Sequence, residues 1–584
     1  MIPTPTRNVS LPFQQGGFKS LCEVLDYAAQ GDTGLNFHDV RGRLEQTLSY
    51  VHLRRSAVAV AKRLRERGLT IGSPIALVAE TSPAFLKLFY ACQYAGFVPC
   101  PLPHHLRTGA PDAYVAQLRQ LLARTRAHLL LVPERLVDSA TQAAEGLPIT
   151  TTGFDMLLQD LPEDDTAWLS DVPDQPTAYV QFSSGSTAEP KGVVVSQAAL
   201  MANVDAIARH GLRMQEDDRA FSWLPLYHDM GLVGFSVVAM CAQRSVDYLA
   251  PMSFAARPLQ WLRLMSACRS TITYAPLFAW HLAAQRYEGT AQDIDLSSLR
   301  IAGVGGDMVQ AAQLDDCMRI LASAGLRANA MQPSYGLAEA TLAISMTDAA
   351  ECPRVDNILL ADAMGGTPVA TATATAPSHA TRRLVSAGRP LPGIEVQVRD
   401  AAGSLLPDRH VGHLWIRGSS VMQKYLDADA PRGANAFLDT GDLGYLHDGE
   451  IFVSGRAKDL VLVRGRNIWL QDIEWLAERV PPLVAGDTAA IAVDDDVNGS
   501  LVLLVQRAVT DADAQEALRQ QLVDAVLQAL GVTVRVLFLP ARSLLFTTSG
   551  KLARQQMRQR YSSGAWDMVS SRDAFRSLAV EPTT

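Results

Sequence analysis

The sequence predicts an α/β fold built from at least two domains. Short β-rich runs alternate with longer amphipathic runs, which is the pattern of α/β layering. At 584 residues the chain is also too long for a single hydrophobic core. A change of texture after residue 385 predicts that the last third of the chain is built differently from the first two thirds.

The first part of the chain supplies the alternation. Residues 50–69 have helical periodicity and are followed by Gly72 and a strand-like run at 73–80. Residues 82–102 again pass from a helical to an extended pattern. Three further runs predict buried strands, at residues 127–134, 176–182 and 270–276.

Beyond residue 385 the strands become short. The runs GIEVQVRD, GHLWIRG and GEIFVSG are punctuated by glycine and aspartate, which predicts an antiparallel, barrel-like or small-sheet region. The C-terminal part mixes strands with one clear helix, ADAQEALRQQLVDAVLQALG, which ends at Gly531. Residues 367–381 (TPVATATATAPSHAT) have low complexity and predict a mobile loop.

Composition excludes several classes of protein. The formal net charge is −8, which argues against a non-specific nucleic-acid binder. Seven scattered cysteines form no C-x-x-C pair, so neither a disulfide framework nor a zinc site is predicted. The sequence shows no signal peptide and no apolar run of the length that a membrane span requires. A cytoplasmic protein is therefore predicted.

The run QFSSGSTAEPKG at residues 181–192 is the first candidate site. A Walker loop counted from Gly185 fails, because Pro190 takes the place of its second glycine and Gly192 that of its magnesium-binding hydroxyl residue. A P-loop kinase is thus disfavoured. What remains is a strand feeding a loop whose hydroxyls and amides could hold pyrophosphate oxygens. Taken alone, the run could also be a plain surface turn.

Three later stretches carry further candidates. In SYGLAEATLAI, Tyr335 and Glu339 stand at helical spacing, which by itself fits a helix start with a solvated glutamate. In LDTGDLGY, Asp442 lies in a glycine-flanked turn and could accept both hydroxyls of a ribose. In TTSGKLARQQMRQRY, Lys551 follows a Ser-Gly turn at the start of a basic helix. Each stretch is weak alone.

Their order along the chain is the stronger signal. SSGSTAEPKG, WLPLYHDMG, YGLAEAT, DTGDLGY with GRAKDLV, and TTSGKL together resemble the signature series of the adenylate-forming superfamily. That superfamily includes acyl-CoA synthetases, adenylation domains of peptide synthetases and luciferases. The resemblance runs from about residue 20 to about residue 560.

The resemblance implies a definite domain organisation. A large N-terminal domain, residues 1–455, would hold two flavodoxin-like α/β subdomains and a small β-barrel at about 385–455. Residues 456–459 would form a hinge, and residues 460–584 a small mobile α+β domain. Within the N-terminal domain an insertion is expected at about 348–385.

The resemblance also implies ATP and Mg²⁺ as cofactors. The 183–191 loop would hold the β- and γ-phosphates through Ser183, Ser184, Gly185, Ser186, Thr187 and Lys191. Thr187 and Glu339 resemble the pair that positions Mg²⁺. Ala188 is a departure, since the family usually has glycine there, and its Cβ restricts φ.

Further roles follow at the nucleoside and at the reacting centre. Tyr335, between Ser334 and Gly336, would stack on adenine, and Asp442 would hold the ribose with help from Arg456. Lys458 resembles the hinge residue, and Lys551 the lysine that reaches the α-phosphate and the substrate carboxylate. The edge of the adenine would be lined by Gly305, Gly306 and Asp307.

Within the superfamily the chain resembles the fatty acyl-AMP ligases, which pass the acyl group to the phosphopantetheine thiol of an acyl carrier protein. WLPLYHDMGLVG and VRGRNIWLQDIE are similar to their motifs, and the 49 residues from Glu339 to Gly388 leave room for the insertion thought to discourage use of coenzyme A. His228 resembles the residue at the mouth of the acyl tunnel, next to the reacting carboxylate.

Alternatives remain open at this stage. An acyl-CoA synthetase using free coenzyme A is the nearest one, and a catalytically silent nucleotide-binding module is another. The insertion could be merely a linker. The basic helix that carries Arg554, Arg558 and Arg560 could dock an acidic carrier protein, although a solvated helix is the simpler interpretation.

Overall fold

A computed structural model gives the architecture. It describes residues 11–566 except for 105–110, 163–171, 184–189, 288–292, 360–367, 371–380, 429, 434, 464–465, 494–499, 508–510 and 548–550.

The strands up to residue 390 are β1 (Gly34–His38), β2 (Leu44–Ser49), β3 (Pro74–Val78), β4 (Val98–Leu102), β5 (Leu129–Val132), β6 (Thr150–Gly153), β7 (Thr177–Ser183), β8 (Lys191–Ser196), β9 (Ala220–Ser222), β10 (Val246–Leu249), β11 (Ile272–Ala275), β12 (Ile301–Val304), β13 (Met331–Gly336), β14 (Ala343–Met346), β15 (Val355–Leu359), β16 (Thr381–Val385) and β17 (Arg389–Pro390). The later strands are β18 (Ile394–Arg399), β19 (Gly412–Gly418), β20 (Lys424–Tyr425), β21 (Leu438–His447), β22 (Glu450–Arg456), β23 (Leu460–Val463), β24 (Arg466–Trp469), β25 (Thr488–Val493), β26 (Ser500–Val505) and β27 (Arg535–Phe538).

The helices are α1 (Leu21–Ala28), α2 (Tyr50–Arg65), α3 (Pro83–Ala95), α4 (Pro111–Thr125), α5 (Val137–Ala144), α6 (Phe154–Leu158), α7 (Gln197–Ala206), α8 (Asp229–Gly231), α9 (Val238–Cys241), α10 (Pro251–Ala256), α11 (Pro258–Cys268), α12 (Leu277–Tyr287), α13 (Ala311–Leu321), α14 (Leu470–Ala477), α15 (Ala512–Leu530) and α16 (Arg554–Ser562). Two π-helical turns, Ile207–Gly211 and Leu232–Val237, extend α7 and α8.

Local sequence explains where these helices begin and end. Helix α3 begins after Ser82, whose hydroxyl accepts from the amide of Phe85, and ends at Gly96 with φ of +77°. Helix α15 begins after Asp511 and ends at Gly531 with φ of +66°, as the sequence predicts. Among the described helices none is long and apolar enough to cross a membrane.

Two sheets dominate the large N-terminal part. One has nine strands in the order β17-β14-β13-β12-β11-β9-β10-β1-β2, and its central strands β12, β11, β9 and β10 run parallel. The other is a parallel sheet of four strands in the order β4-β3-β5-β6. The alternating pattern therefore predicts the α/β class correctly, and α2 and α3 lie in the main core with both sheets.

The region after residue 385 is antiparallel, as predicted. Strands β18, β19, β21 and β22 form a four-stranded antiparallel sheet around a small core of its own. The C-terminal part follows with the β23–β24 pair and a three-stranded sheet, β25-β26-β27, covered by α14, α15 and α16.

A buried contact joins the C-terminal part to the antiparallel sheet. Trp469 is 1% exposed and packs in a cluster with Leu443, Tyr445 and Phe452 of the antiparallel sheet. A Cβ added to Gly455 would lie 2.6 Å from the Trp469 ring, so only glycine allows this approach.

Arg382 of β16 lies in the same contact. Its guanidinium is 5.6 Å from the Trp469 ring centroid and 5.5 Å from that of Trp475, and it pairs with Asp472 at 3.3 Å. It also donates to the carbonyl of Ser454 at 2.8 Å. The end of the predicted insertion is thus anchored to the first helix of the C-terminal part.

Candidate active site

The candidate site lies at the carboxyl ends of β12 and β13, where open α/β sheets usually bind ligands. Gly305 and Gly306 follow β12, and Ser334 lies in β13 beside them. A Cβ on Gly305 would lie 2.8 Å from Ser334 Oγ, and Gly306 has φ of +85°. These glycines keep the sheet edge open, and the next residue, Asp307, is exposed.

The antiparallel sheet brings a buried acid to this edge. Asp442 of β21 is 4% exposed and lies opposite Arg456 of β22, whose Nε is 2.9 Å from its Oδ1. The Tyr335 hydroxyl donates to Asp442 Oδ2 at 2.6 Å. Burial and the Asp442 carboxylate raise the pKa of Tyr335 well above its usual range, and Asp442 raises that of Arg456. Both partners therefore stay protonated as donors.

Glu339 is held in a short turn after β13. Its Oε1 accepts from the Tyr425 hydroxyl at 3.0 Å, and its backbone carbonyl accepts from Met422 at 2.7 Å. The following Thr341 has φ of +72°, a strained value for a β-branched residue, and its hydroxyl donates to Ser420 at 2.8 Å. The position of Glu339 is therefore fixed by the loop that leads into β20.

The predicted phosphate loop begins and ends within the described structure. Ser183 ends β7 and Lys191 begins β8, which pair antiparallel with Ser183 opposite Lys191. The Lys191 ammonium lies 5.2 Å above the Tyr425 ring, and thus on the Glu339 side of the site. Ser184, Gly185, Ser186 and Thr187, like Ala188, lie outside the described residues.

His228 and Asp229 form the start of α8. The His228 ring lies 4.8 Å from the ring of Tyr227, whose carbonyl accepts from Gln181 at 2.6 Å. Asp229 Oδ1 accepts from the amide of Met230 at 2.7 Å. Met230 in turn approaches the Gly305–Gly306 loop, because its Sδ would lie 3.9 Å from a Cβ on Gly305.

The electrostatics of Asp229 connect the two parts of the chain. Burial raises its pKa to about 6, and the charge of Glu339 adds to the rise. The Met230 amide and the Lys551 ammonium oppose that rise. Lys551 therefore lies close enough to Asp229 to stabilise its charge, although the two are far apart in sequence.

A short bridge positions Lys551. Phe546 and Leu552 are bridged, and the amide of Thr547 donates to the carbonyl of Lys551 at 2.7 Å. The Lys551 amide donates back to Thr547 Oγ1 at 3.2 Å. Lys551 itself is partly buried. The predicted Ser-Gly turn, residues 549–550, lies outside the described residues.

The predicted hinge is a 3₁₀ turn, Ala457–Asp459, in which Lys458 is exposed. Arg554 of α16 binds this turn from the C-terminal side, 3.1 Å from Asp459, and also binds Glu474 of α14 at 2.6 Å. Burial opposes the charge of Arg554, but Glu474 and Asp459 outweigh it and raise its pKa.

Two interpretations from the sequence are wrong. Tyr335 and Glu339 do not lie on a helix: Tyr335 is in β13 opposite Ser345, and Glu339 is in a 3₁₀ turn. The close approach of Gly336 to the Leu342 carbonyl reverses the chain there. Arg554 does not belong to an exposed basic face, because it is engaged by two acids, whereas Arg558 and Arg560 are exposed.

Sequence reasoning missed two residues of the site. Asp229 lies inside the LYHDMG motif, and a carboxylate next to His228 in a buried stretch was a usable signal. Tyr425, which contacts both Glu339 and Lys191, lies in VMQKYLDAD, where no pattern marks it.

The insertion is described in part. Its first and last strands, β15 and β16, pair antiparallel from Val355–Val385 to Leu359–Thr381. Within the low-complexity stretch, Pro368 is bridged to His410, and the amide of Val369 donates to the carbonyl of Arg409 at 2.6 Å. Residues 367 and 371–380 of the predicted mobile loop lie outside the described residues, as do residues 360–366 before it.

Within the described part of the chain, one group of side chains has the residue types and spacing of a metal site. This group, His38, Asp247 and Cys268, is buried, but both Asp247 oxygens already bind the Arg219 guanidinium at 2.6 and 2.9 Å. At the candidate active site, the Glu339 carboxylate is the oxygen ligand type that Mg²⁺ takes alongside phosphates.

Residues 36–426 match the family described as AMP-binding enzyme, and the chain therefore belongs to that family of adenylate-forming enzymes. The fold agrees: the chain aligns over 95% of its length with the whole of a solved chain from a study of fatty acyl-adenylate ligases of E. coli and L. pneumophila, with a TM-score of 0.88 and 36% identity.

Two relatives of known name are similar to this chain over nearly its whole length. The chain is 39% identical over 559 residues to a Caulobacter vibrioides protein provisionally named an acyl-CoA synthetase, covering 94% of this chain and 96% of the relative. It is 27% identical over 583 residues to the medium-chain-fatty-acid–[acyl-carrier-protein] ligase JamA of Moorena producens, covering 95% and 97% of the two chains.

Proposed function

We propose that this chain activates a fatty acid with ATP to acyl-AMP, releases pyrophosphate, and transfers the acyl group to the phosphopantetheine thiol of an acyl carrier protein. The observation that carries the proposal is the convergence of Lys551 with Asp229 and Glu339, next to the Tyr335–Asp442–Arg456 group. On this proposal, a nucleotide-binding acid and a reaction-centre lysine would share one site.

The nucleoside end is built to hold a ribose. Asp442 keeps its carboxylate oriented by one donor on each oxygen, Tyr335 on Oδ2 and Arg456 on Oδ1. Each oxygen retains a lone pair to accept a ribose hydroxyl. Tyr335 follows Ser334, which lies against Gly305, and an adenine ring would stack on its ring.

Chemistry takes place at the other end. The substrate carboxylate attacks the α-phosphorus, a P–O bond to the β-phosphate breaks, and pyrophosphate leaves. Negative charge builds on the α-phosphoryl oxygens, so positioning and neutralisation supply most of the catalysis. Lys551 is the cation aimed at this point, with Lys191 on the β- and γ-phosphate side. Mg²⁺ would neutralise phosphate charge, held by Glu339 and Thr187.

Transfer follows at the same acyl carbon. The thiolate attacks the carbonyl carbon of acyl-AMP, and AMP leaves. Lys551 and the hinge turn belong to the part of the chain that would move between the two steps, about Lys458. Acyl-AMP reacts with water, so closure by that part also protects the intermediate.

Free coenzyme A is the second candidate acceptor. The name of the Caulobacter vibrioides relative favours it, whereas that of the Moorena producens relative favours a carrier protein. Arg382 supports the carrier-protein proposal, because it ties the end of the insertion to Asp472 and so restrains the C-terminal part. Seven free cysteines support a reducing compartment such as the cytoplasm.

The fate of the acyl group tests the proposal. Purified protein would be given ATP, Mg²⁺ and a panel of radiolabelled fatty acids, with coenzyme A and a holo carrier protein in separate reactions. Acyl-AMP that accumulates and moves only to the carrier protein is expected. Rapid acyl-CoA formation would instead establish the synthetase, and absence of adenylate from every acid would leave only a nucleotide-binding module.

A further inference from the structure

A row of side chains crosses the nine-stranded sheet just below the candidate active site. In the register of the parallel strands, Tyr274 of β11 lies beside Gly303 of β12, and Gly303 beside Gln332 of β13. A Cβ on Gly303 would lie 2.1 Å from the Tyr274 ring, so the glycine lets that ring lie across β12. The Tyr274 ring therefore lies over Gly303 on the same face of the sheet as Gln332.

This face is the one that carries the site. Two residues further along the same strands, the Cβ direction of Gly305 points to Ser334 Oγ at 2.8 Å and to Met230 Sδ at 3.9 Å. Residues two apart in a strand share a face, so Gln332 lies on the same face as Ser334. It is about 7 Å deeper, away from the reacting centre.

The segment that covers this face begins at the reaction centre. Met230 lies over Gly305, and Ser236 further along the same segment shares a hydrogen bond of 2.8 Å with the hydroxyl of Tyr248 in β10. The segment that starts at His228 thus covers the face on which Gln332 lies. An acyl chain with its carboxylate beside His228 would reach Gln332 by running along this face.

Gln332 differs from the other buried glutamines of the described chain because both polar atoms of its amide, Oε1 and Nε2, lack a hydrogen-bond partner. It is 0% exposed. By contrast, Gln93 donates to Ala178 at 2.7 Å and accepts from Gln197 at 2.9 Å. Buried amides are almost always bonded, and leaving one unpaired is costly.

Tyr274 adds a donor to the same place. Its hydroxyl is buried, and burial raises its pKa beyond the usual range, with Ser334 as its neighbouring polar side chain. The hydroxyl therefore stays protonated. Together with the Gln332 amide it offers both donors and acceptors to one ligand group.

We propose that Gln332, with Tyr274, is a specificity-determining residue that binds a polar substituent on the acyl chain. The preferred substrate is then a carboxylic acid with a hydrogen-bonding group, such as a hydroxyl or a phenol, some distance from its carboxylate. This inference rests on the proposed function. A wholly hydrocarbon chain would leave the amide unpaired, and a site built to hydrogen-bond its substrate discriminates strongly against analogues that lack the group.

Matched acids test the proposal. Adenylation would be measured as kcat/KM for an unsubstituted straight-chain acid, for the same acid with one hydroxyl moved along the chain, and for a phenylalkanoic acid with and without a phenolic hydroxyl. The wild type is expected to prefer one substituted acid over its unsubstituted partner by about tenfold or more. Equal rates for every matched pair would overturn the proposal.

Variants assign the preference to the residue. Gln332→Leu, close in size and apolar, is expected to remove the preference and to leave KM for ATP unchanged, and Tyr274→Phe to reduce it. Gln93→Leu is the matched control, a bonded buried glutamine outside the site, and should keep the preference. A preference that survives in Gln332→Leu would contradict the assignment. Failure of the wild type to adenylate any acid would instead count against the proposed function.

Discussion

The two aspartates of the candidate site, buried Asp442 and partly buried Asp229, differ in which groups stabilise their charge. Asp442 has a tyrosine hydroxyl at 2.6 Å and an arginine at 2.9 Å, all three from the N-terminal part and its antiparallel sheet. Asp229 has the backbone amide of Met230, and its charge is further stabilised by Lys551 from the C-terminal part. In the proposed function, the nucleoside end would therefore be complete in one part of the chain, and the reaction end would require both.

This difference predicts separable effects. Changes at Asp442 should weaken nucleotide binding, whereas changes at Lys551 and Asp229 should affect the chemical step.

Lys551→Ala should lower the rate of acyl-AMP formation by about 10²- to 10³-fold, because it removes the cation aimed at the developing charge. ATP binding, measured by calorimetry, should stay largely intact. Arg560→Ala, an exposed residue on α16, is the control and should adenylate normally. A Lys551→Ala enzyme with near wild-type adenylation would show that the lysine is not catalytic.

Asp442→Asn should raise KM for ATP by about 10- to 100-fold, since a charged acceptor for the ribose hydroxyls is lost. The value of kcat should change less. Steady-state kinetics at saturating fatty acid would measure both. If kcat fell and KM for ATP did not change, the nucleoside end would not be the independent unit described above.

Asp229 should give adenylation a pH dependence. Its folded pKa of about 6 lies above its ordinary 3.8, so between these values the folded carboxyl keeps a proton that the unfolded chain has lost. Its contribution to the free energy of unfolding therefore falls as pH rises from about 4 to about 6. Above pH 6 the carboxylate attracts Lys551, and below pH 6 this attraction is lost.

Wild-type adenylation should accordingly decline by about fivefold as pH falls through 6, beyond any loss shared with the variant. Asp229→Asn should lack that limb and show a smaller loss of stability between pH 4 and pH 6. The measurements are rate–pH profiles and thermal unfolding of both proteins. Identical rate–pH profiles for the wild type and Asp229→Asn would mean that Asp229 has no part in the adenylation reaction.

Tyr425→Phe should have the smallest effect, a reduction in kcat of about threefold, because Glu339 loses one neutral hydrogen bond. The phenyl ring would keep its contact with Lys191. Initial rates across a Mg²⁺ titration would measure the change. A loss as large as that of Lys551→Ala would mean that the tyrosine does more than orient Glu339.

The sequence predicted the periodic elements and the ordered motifs, because these depend on local pattern. The α/β alternation, the antiparallel region and the Gly531 end of α15 are all observed. The helix expected at Tyr335 was wrong, because a spacing of four residues between Tyr335 and Glu339 fits a helix as well as a strand followed by a turn. The pairing of β13 with β14, in which Gly336 lies against the Leu342 carbonyl, decides for the strand and turn.

The local sequence pattern did not predict contacts between residues that are distant in the chain. Arg554 lies in a basic run, yet Asp459 and Glu474 meet it from 95 and 80 residues away. Arg382 meets Trp469 and Asp472 across the hinge for the same reason. The charges of Asp442 and Asp229 are likewise stabilised by residues distant in sequence. No local pattern marks Tyr425 or the unpaired amide of Gln332.

Fatty-acid-dependent exchange of labelled pyrophosphate into ATP would measure reversible acyl-AMP formation without any thiol acceptor. Exchange that requires a fatty acid and Mg²⁺, and that Lys551→Ala reduces by about 10²-fold or more, is the result expected from a site completed by both parts of the chain. Absence of acid-dependent exchange in the wild type, with ATP still bound, would contradict it.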